Sequence, residues 1–303
     1  MIKIALAGTS GLAQYIAHYL STQTCHQFFF LSRNPNPGLT AKGWQVLPVD
    51  YNHPNDVRYK LFGVDTVIST VSGQAQLSLI EAAAQVHVRR FVPSEFEGTP
   101  AVRPSGDILD RGKSSALTRL HQLRSSGMEY TVFACGVFYE RFGPGGMAAL
   151  QLGHGTNISG EGDYLMDIRH RTAQIPYHNS SGQEVHICMT SVEDVARFVV
   201  AALDLPEWPN EFRMFGERMT VGEVVKTAEI MCGAPFHRTI HTPDTLWTSL
   251  SYAVATGNVT QQWRLHHLIA TSTGRYDFSD ANLNDLVNIQ PKRFGEWLYA
   301  AWS

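Results

Sequence analysis

The chain has no apolar run approaching the roughly 18 residues needed to cross a bilayer, so no membrane span and no membrane partner are expected. It has no excess of positive charge: Lys plus Arg total 24 against 27 for Asp plus Glu, a formal charge of -3, and no Lys/Arg-rich run. Binding to nucleic acid rests on clustered positive charge, so nucleic acid is not an expected partner either. The cysteines Cys25, Cys135, Cys188 and Cys232 form no C-x-x-C pair. Their spacing fits neither a zinc site nor a disulfide framework and suits buried, reduced thiols. The 13 histidines include no H-E-x-x-H, and no metal is expected. There is no G-x-S-x-G elbow, which argues against a serine hydrolase. Met1 to Ala7 runs straight into a glycine turn without the pattern of a signal peptide, so the cytoplasm is the expected compartment.

What is present is a globular balance of 44% hydrophobic and 17% charged residues over 303 positions, a length that suggests two lobes. In the first half, short apolar runs alternate with amphipathic stretches. Strands are expected at Ile2–Ala7, Gln27–Leu31, Trp44–Pro48, Asp65–Thr70, from Phe91, and at Tyr130–Cys135. Helices between them carry stripes such as Leu12, Ile16, Ala17 and Leu20. This order predicts an α/β fold: a Rossmann-like, doubly wound parallel sheet with a smaller α+β substrate-binding lobe. Residues 143–162 read as glycine-rich loop. A strand at Val185–Met189 then leads into a helix capped by Ser191 and Asp194, and Thr220 with Glu223 caps another. The expected division is 1–150 plus about 185–205 for the nucleotide lobe, with 185–205 rejoining the main sheet. Residues 151–184 and 206–303 are left for the substrate lobe.

Gly8-Thr9-Ser10-Gly11-Leu12 lies between the first strand and the first helix. Glycine permits a tight turn and close approach of pyrophosphate, and a helix N-terminus offers N–H groups and partial positive charge. Gln14 stands where a third small residue normally packs. Arg33 follows the second strand, and no acid occurs from 27 to 36. An acid there would bind the ribose hydroxyls of NAD, whereas arginine pairs a 2′-phosphate, so NADP(H) is the expected cofactor.

No tyrosine is followed by a lysine four residues later, so the proton donor common in short-chain dehydrogenases is missing. Lys113 is the replacement, continuing the stripe Ala116, Leu120, Leu123 at the start of a helix. There the helix dipole and lost hydration oppose its charge, which suits proton donation. Pro93, Ser94 and Glu95 end the fifth strand at the edge where such sheets react. Ser94 is a candidate to touch cofactor or substrate and Glu95 to hold a neighbouring loop.

Together these residues resemble the NmrA-like and isoflavone-reductase-like branch of atypical short-chain dehydrogenases. The likeness rests on the A-G-T-S-G-L-A turn, the L-S-R strand end, Gly63–Ser69, and above all Arg90-Phe91-Val92-Pro93-Ser94-Glu95-Phe96. Gly136-Val137-Phe138 and the Thr190–Asp194 helix start also fit. It covers nearly the whole chain and looks most similar to fungal members, which often serve secondary metabolism. The resemblance implies a lysine in the helix where Lys113 stands, although Lys113 lies about one helical turn upstream of the family spacing.

The resemblance implies an NADPH-dependent reductase of a small aromatic or polyketide-like metabolite. Its cofactor-binding residues would be Gly8, Thr9, Ser10, Gly11, Leu12, Arg33, Thr70, Val71, Ser72, Gln74, Pro93, Ser94, Glu95 and Phe138. Its substrate would meet Phe96, Phe138, Tyr139 and Tyr164, with 97–112 as a lid, in a monomer or homodimer. Two other readings stay open: a redox-sensing regulator that binds NADP without turnover, and a non-redox isomerase or cyclase.

Overall fold

The computed structural model describes all 303 residues. Six strands, β1 (Lys3–Ala7), β2 (Gln27–Ser32), β3 (Val46–Pro48), β4 (Thr66–Ser69), β5 (Arg90–Val92) and β6 (Glu129–Tyr130), form one sheet in the order 3-2-1-4-5-6. Every neighbouring pair is parallel. The connections contain α1 (Gly11–Gln23), α2 (Pro37–Ala41), α3 (Pro54–Leu61), α4 (Gln74–Gln85) and α5 (Lys113–Leu123). The expected doubly wound sheet is therefore present. Strand order reverses between β1 and β4, with Ala7 opposite Ser69. In such sheets the crevice beyond the strand ends at this reversal is where ligands bind.

Both sheet faces are covered, which is why the strands read as apolar runs rather than as alternations. Ala5, Ala7, Phe29, Leu31, Val67 and Phe91 are buried together with Leu79, Ile80 and Ala83 of α4 and Ala116 and Leu120 of α5. Arg90, the first residue of the R-F-V-P-S-E-F signature, is also buried. Its guanidinium donates to the carbonyls of Leu203, Leu205 and Pro206, pairs with Glu129 at 2.8 Å and lies over the Trp208 ring. It serves the fold.

The single strand expected over 130–135 is two. After Thr131 the chain leaves the main sheet as β7 (Val132–Ala134), which pairs with β12 (Glu211–Arg213). The reason lies in β5, which ends at Val92 because Pro93 has no N–H to continue a ladder.

The chain divides into two compact units. The first comprises Met1–Phe96, Asp110–Ala134 and Ala196–Phe212; the second comprises Glu97–Leu109, Cys135–Val195 and Arg213–Ser303. The second unit holds two three-stranded sheets. One joins β8 (Val137–Phe138), β11 (His186–Thr190) and β13 (Glu217–Thr220), with β11 in the middle. The other joins β9 (Met166–Asp167), β10 (Thr172–Pro176) and β14 (His237–His241), with β10 in the middle. The strand at 186–190 thus does not rejoin the six-stranded sheet; its hydrogen-bonding edges are taken by β8 and β13.

Helices α6 (Val192–Ala202), α7 (Val221–Cys232), α8 (Pro243–Ala255), α9 (Val259–Ser272), α10 (Asn282–Leu286) and α11 (Phe294–Trp302) complete the chain. The Ser191 hydroxyl accepts from the Asp194 N–H, and Thr220 with Glu223 closes a reciprocal capping box, as their spacing indicated. Residues 143–162 hold one short 3-10 turn, Gly146–Leu150. No helix is long and apolar enough to cross a membrane.

Candidate active site

In the first unit, four segments meet at the carboxyl edge of the parallel sheet. The turn after β1 needs Gly8: its φ is 101°, and a Cβ there would collide with Thr70 Oγ1 at the end of β4. The Thr70 hydroxyl in turn donates to the Ala7 carbonyl at 2.9 Å, tying the two strand ends together. Helix α1 follows with no side-chain cap and no acid in its first turn. Its first backbone bond runs from Gln14 N–H to Ser10, leaving the earlier N–H groups as a ready anion site.

Gln14 does not obstruct this turn. Its amide reaches back to donate to the Thr9 carbonyl at 3.1 Å, while the buried Ala13, Ile16 and Ala17 make up the inward face of α1. The side chain braces the loop instead of packing beneath it. Arg33 is exposed at the end of β2. Burial raises the nearby Tyr51 phenol above its ordinary range, and the Arg33 charge works against that rise.

The second half of the site is built on α4, α5 and the residues after β5. Gln76 is fully buried, and its Oε1 accepts the Ser94 N–H at 2.7 Å, fixing the turn that follows Pro93. Gly73 and Gly112 both have positive φ, and a Cβ on Gly112 would come 3.3 Å from Gly73 Cα. The start of α5 is thereby held close against the β4–α4 loop, where Thr70, Val71 and Ser72 are half-buried and Gln74 is exposed.

Lys113 is the first residue of α5, and the buried set of that helix is Lys113, Ala116, Leu120 and Leu123, the stripe read from the sequence. Asp110 prepares this helix start: its carboxylate accepts the N–H groups of Gly112 at 3.1 Å and Ser114 at 2.9 Å. The Lys113 ammonium lies 3.8 Å from the Glu95 carboxylate, with side-chain exposures of 4% and 0%. The structure thus brings Gly8, Thr70, Ser94, Glu95 and Lys113 to one edge. Phe96 sits beside them in sequence but stacks on Phe133 at 6.2 Å.

The remaining candidates belong to the second unit. Phe138 is half-buried on β8. Tyr139 and Tyr164 are core residues and do not present a binding surface. Tyr139 packs against Phe294 and Trp297 and donates to the Lys292 carbonyl at 3.0 Å. Tyr164 shares a 2.8 Å hydrogen bond with Thr271 and packs against Phe142. Their aromatic character reports burial, which sequence spacing could not separate from ligand contact.

Of the segment 97–112, expected to act as a lid, residues 97–109 belong to the second unit and carry ion pairs within it. Arg275 pairs with both Glu97 and Asp107, and Arg103 also pairs with Glu97. A Cβ on Gly98 would overlap the Arg275 carbonyl. Two arginines far apart in sequence, Arg103 and Arg275, thus tie Glu97 and Asp107 of this segment to the second unit.

A family model described as the NmrA-like family matches residues 2–297. Oxidoreductase BOA1 of Botryotinia fuckeliana (strain B05.10) is 31% identical over 253 residues, covering 77% of each chain. An NADPH-dependent quinone oxidoreductase of Escherichia coli, solved with NADPH, shares the fold with a TM-score of 0.74 at 15% identity, over 99% of this chain and 100% of its own. A triphenylmethane reductase of Citrobacter sp., solved with NADP(H), does so with a TM-score of 0.72 at 15% identity, over 99% of both chains. With the glycine turn, the P-S-E-F strand end and the buried lysine on one sheet edge, and a family match over nearly its whole length, this chain belongs to the NmrA-like family.

Proposed function

We propose that this protein is an NADPH-dependent reductase of a small conjugated aromatic or polyketide-like molecule, with Lys113 as the proton donor. The observation that carries the proposal is the placement of a buried lysine beside the strand ends of a sheet whose glycine turn is open to a phosphate. Names of relatives and neighbours point the same way, since they include oxidoreductases and reductases solved with NADPH or NADP(H).

The residues present fit that cofactor. The uncapped start of α1, free of acids, suits a pyrophosphate. Arg33, exposed at the end of β2, is free to meet a 2′-phosphate. Thr70, Val71 and Ser72, with Ser94, would hold the remainder along the strand ends. Bound NADPH would supply a hydride to an electron-poor carbon of the substrate.

Addition of hydride to a conjugated carbonyl leaves negative charge on oxygen. Lys113 Nζ gives its proton to that oxygen and is reprotonated from water, so charge and protons balance. The rigid start of α5, fixed by Asp110 and by the Gly73–Gly112 approach, keeps the amine at one place, which is worth rate through orientation alone. Quinones, named for one structural neighbour, are hydride acceptors of this kind; a cationic triphenylmethane dye, the class named for another, takes hydride at its central carbon to a neutral product and needs no proton. The test is NADPH consumption with a panel of quinones, enones and cationic dyes, repeated with Lys113→Met. Turnover by the native protein is expected, with its loss in the variant for quinones and enones and its retention for cationic dyes, whose reduction needs no proton. NADPH binding without turnover on any acceptor would favour a redox-sensing regulator.

A further inference from the structure

The sequence marks Glu95 as a loop-holding or cofactor-binding residue, but the structure buries it away from any cofactor surface. Its side chain has no exposure, whereas Ser94 just before it is half-buried. A carboxylate taken wholly out of water is strongly unfavourable unless a counter-charge and hydrogen bonds replace the lost hydration. Lys113 supplies such a charge, 3.8 Å away and itself buried. Lys113 needs the partner equally, because a cation at the first position of a helix meets the positive end of the dipole.

The charged groups on the surrounding elements are few. Asp110 and Arg111 lie in the approach to α5, and Asp110 is already engaged with the Gly112 and Ser114 amides. Glu81 on α4 pairs with Arg119, further along α5. The Glu95 carboxylate lies within ion-pair distance of the Lys113 amine, longer than a direct charged hydrogen bond of about 2.8 Å.

We propose that Glu95 is the positioning residue for Lys113: it fixes the amine at the sheet edge and supplies the counter-charge that its burial requires. This rests on the Lys113 reading above, but it makes a claim that can be tested without turnover. The experiment uses native protein, Glu95→Gln, Glu95→Asp and Lys113→Met. Acylation of Lys113 by acetic anhydride is followed by peptide mass spectrometry at several pH values, beside NADPH binding and pH profiles of turnover. In Glu95→Gln, Lys113 should be acylated roughly tenfold faster at neutral pH, the effect of one pH unit. Activity should fall away at lower pH than in the native protein, with NADPH affinity within about threefold, under 1 kcal/mol. Glu95→Asp should lie between the two and covers the case in which the Gln variant does not fold. Unchanged acylation and an unchanged pH profile in both variants would overturn the proposal. Altered acylation with full activity in Lys113→Met would leave the coupling standing and remove Lys113 from the reaction instead.

Discussion

Each unit of the molecule buries a paired cation, and the two pairs are built differently. In the second unit, Arg275 meets two carboxylates directly, with Glu97 at 2.8 Å, and is 2% exposed. In the first, Lys113 stands 3.8 Å from Glu95. Arginine's planar fork holds two carboxylates in fixed geometry, whereas an ammonium on a flexible stem can exchange protons. The contrast teaches that burial of charge alone does not mark a reactive site. What separates them is the donor's chemistry and its place: Lys113 stands at the carboxyl edge of a doubly wound sheet.

The comparison breaks most visibly if the two cations are exchanged in importance. Lys113→Met should lower turnover by about 10²- to 10⁴-fold, the usual worth of a positioned general acid, and should also destabilise the fold because it leaves the buried Glu95 carboxylate without its counter-charge. Arg275→Met should leave turnover chemistry intact and destabilise by about 1–3 kcal/mol, read by chemical denaturation, because Asp107 loses its buried guanidinium while Glu97 keeps Arg103. Turnover lowered more by the arginine variant than by the lysine variant would reverse the assignment.

Smaller effects sharpen the first unit's side. Arg33→Ala should weaken NADPH binding by about 10- to 100-fold while leaving NADH binding nearly unchanged, as loss of a charged hydrogen bond of about 1.5–3 kcal/mol requires. Isothermal titration with both dinucleotides separates the cases. Gly8→Ala should cost about 1–3 kcal/mol in stability, through its positive φ and the collision with Thr70, and should weaken NADPH binding with it.

On the second unit's side, Glu140 offers a pH test. Burial pushes its carboxyl up to about 8, although it accepts the Val192 N–H at the start of α6. The folded protein therefore holds a proton that the unfolded chain has released. Stability falls as pH rises from the ordinary carboxyl range to about 8, by up to roughly 1.4 kcal/mol per unit. Glu140→Gln should flatten that slope in denaturation curves taken across the window.

The parallel sheet was legible because strands buried on both faces need unbroken apolar runs, and Gly8 because the turn demands positive φ. The stripe through Lys113 was legible for a similar reason, since helical spacing alone aligns it with Ala116 and Leu120. Glu95 as its partner was not, because the pair joins a strand end to a helix with a long loop between. Arg275 and Glu97 are farther apart still, and nothing local marks that contact. Tyr139 and Tyr164 show the opposite failure: an aromatic side chain looks the same in sequence whether it packs a core or lines a pocket.

The most direct measurement is a single-turnover decay of NADPH absorbance with a quinone acceptor, comparing native protein and Lys113→Met after both are shown to bind NADPH equally. Decay in the native protein and a rate at least about 100-fold slower in the variant is the predicted result. Equal rates in the two proteins would contradict it.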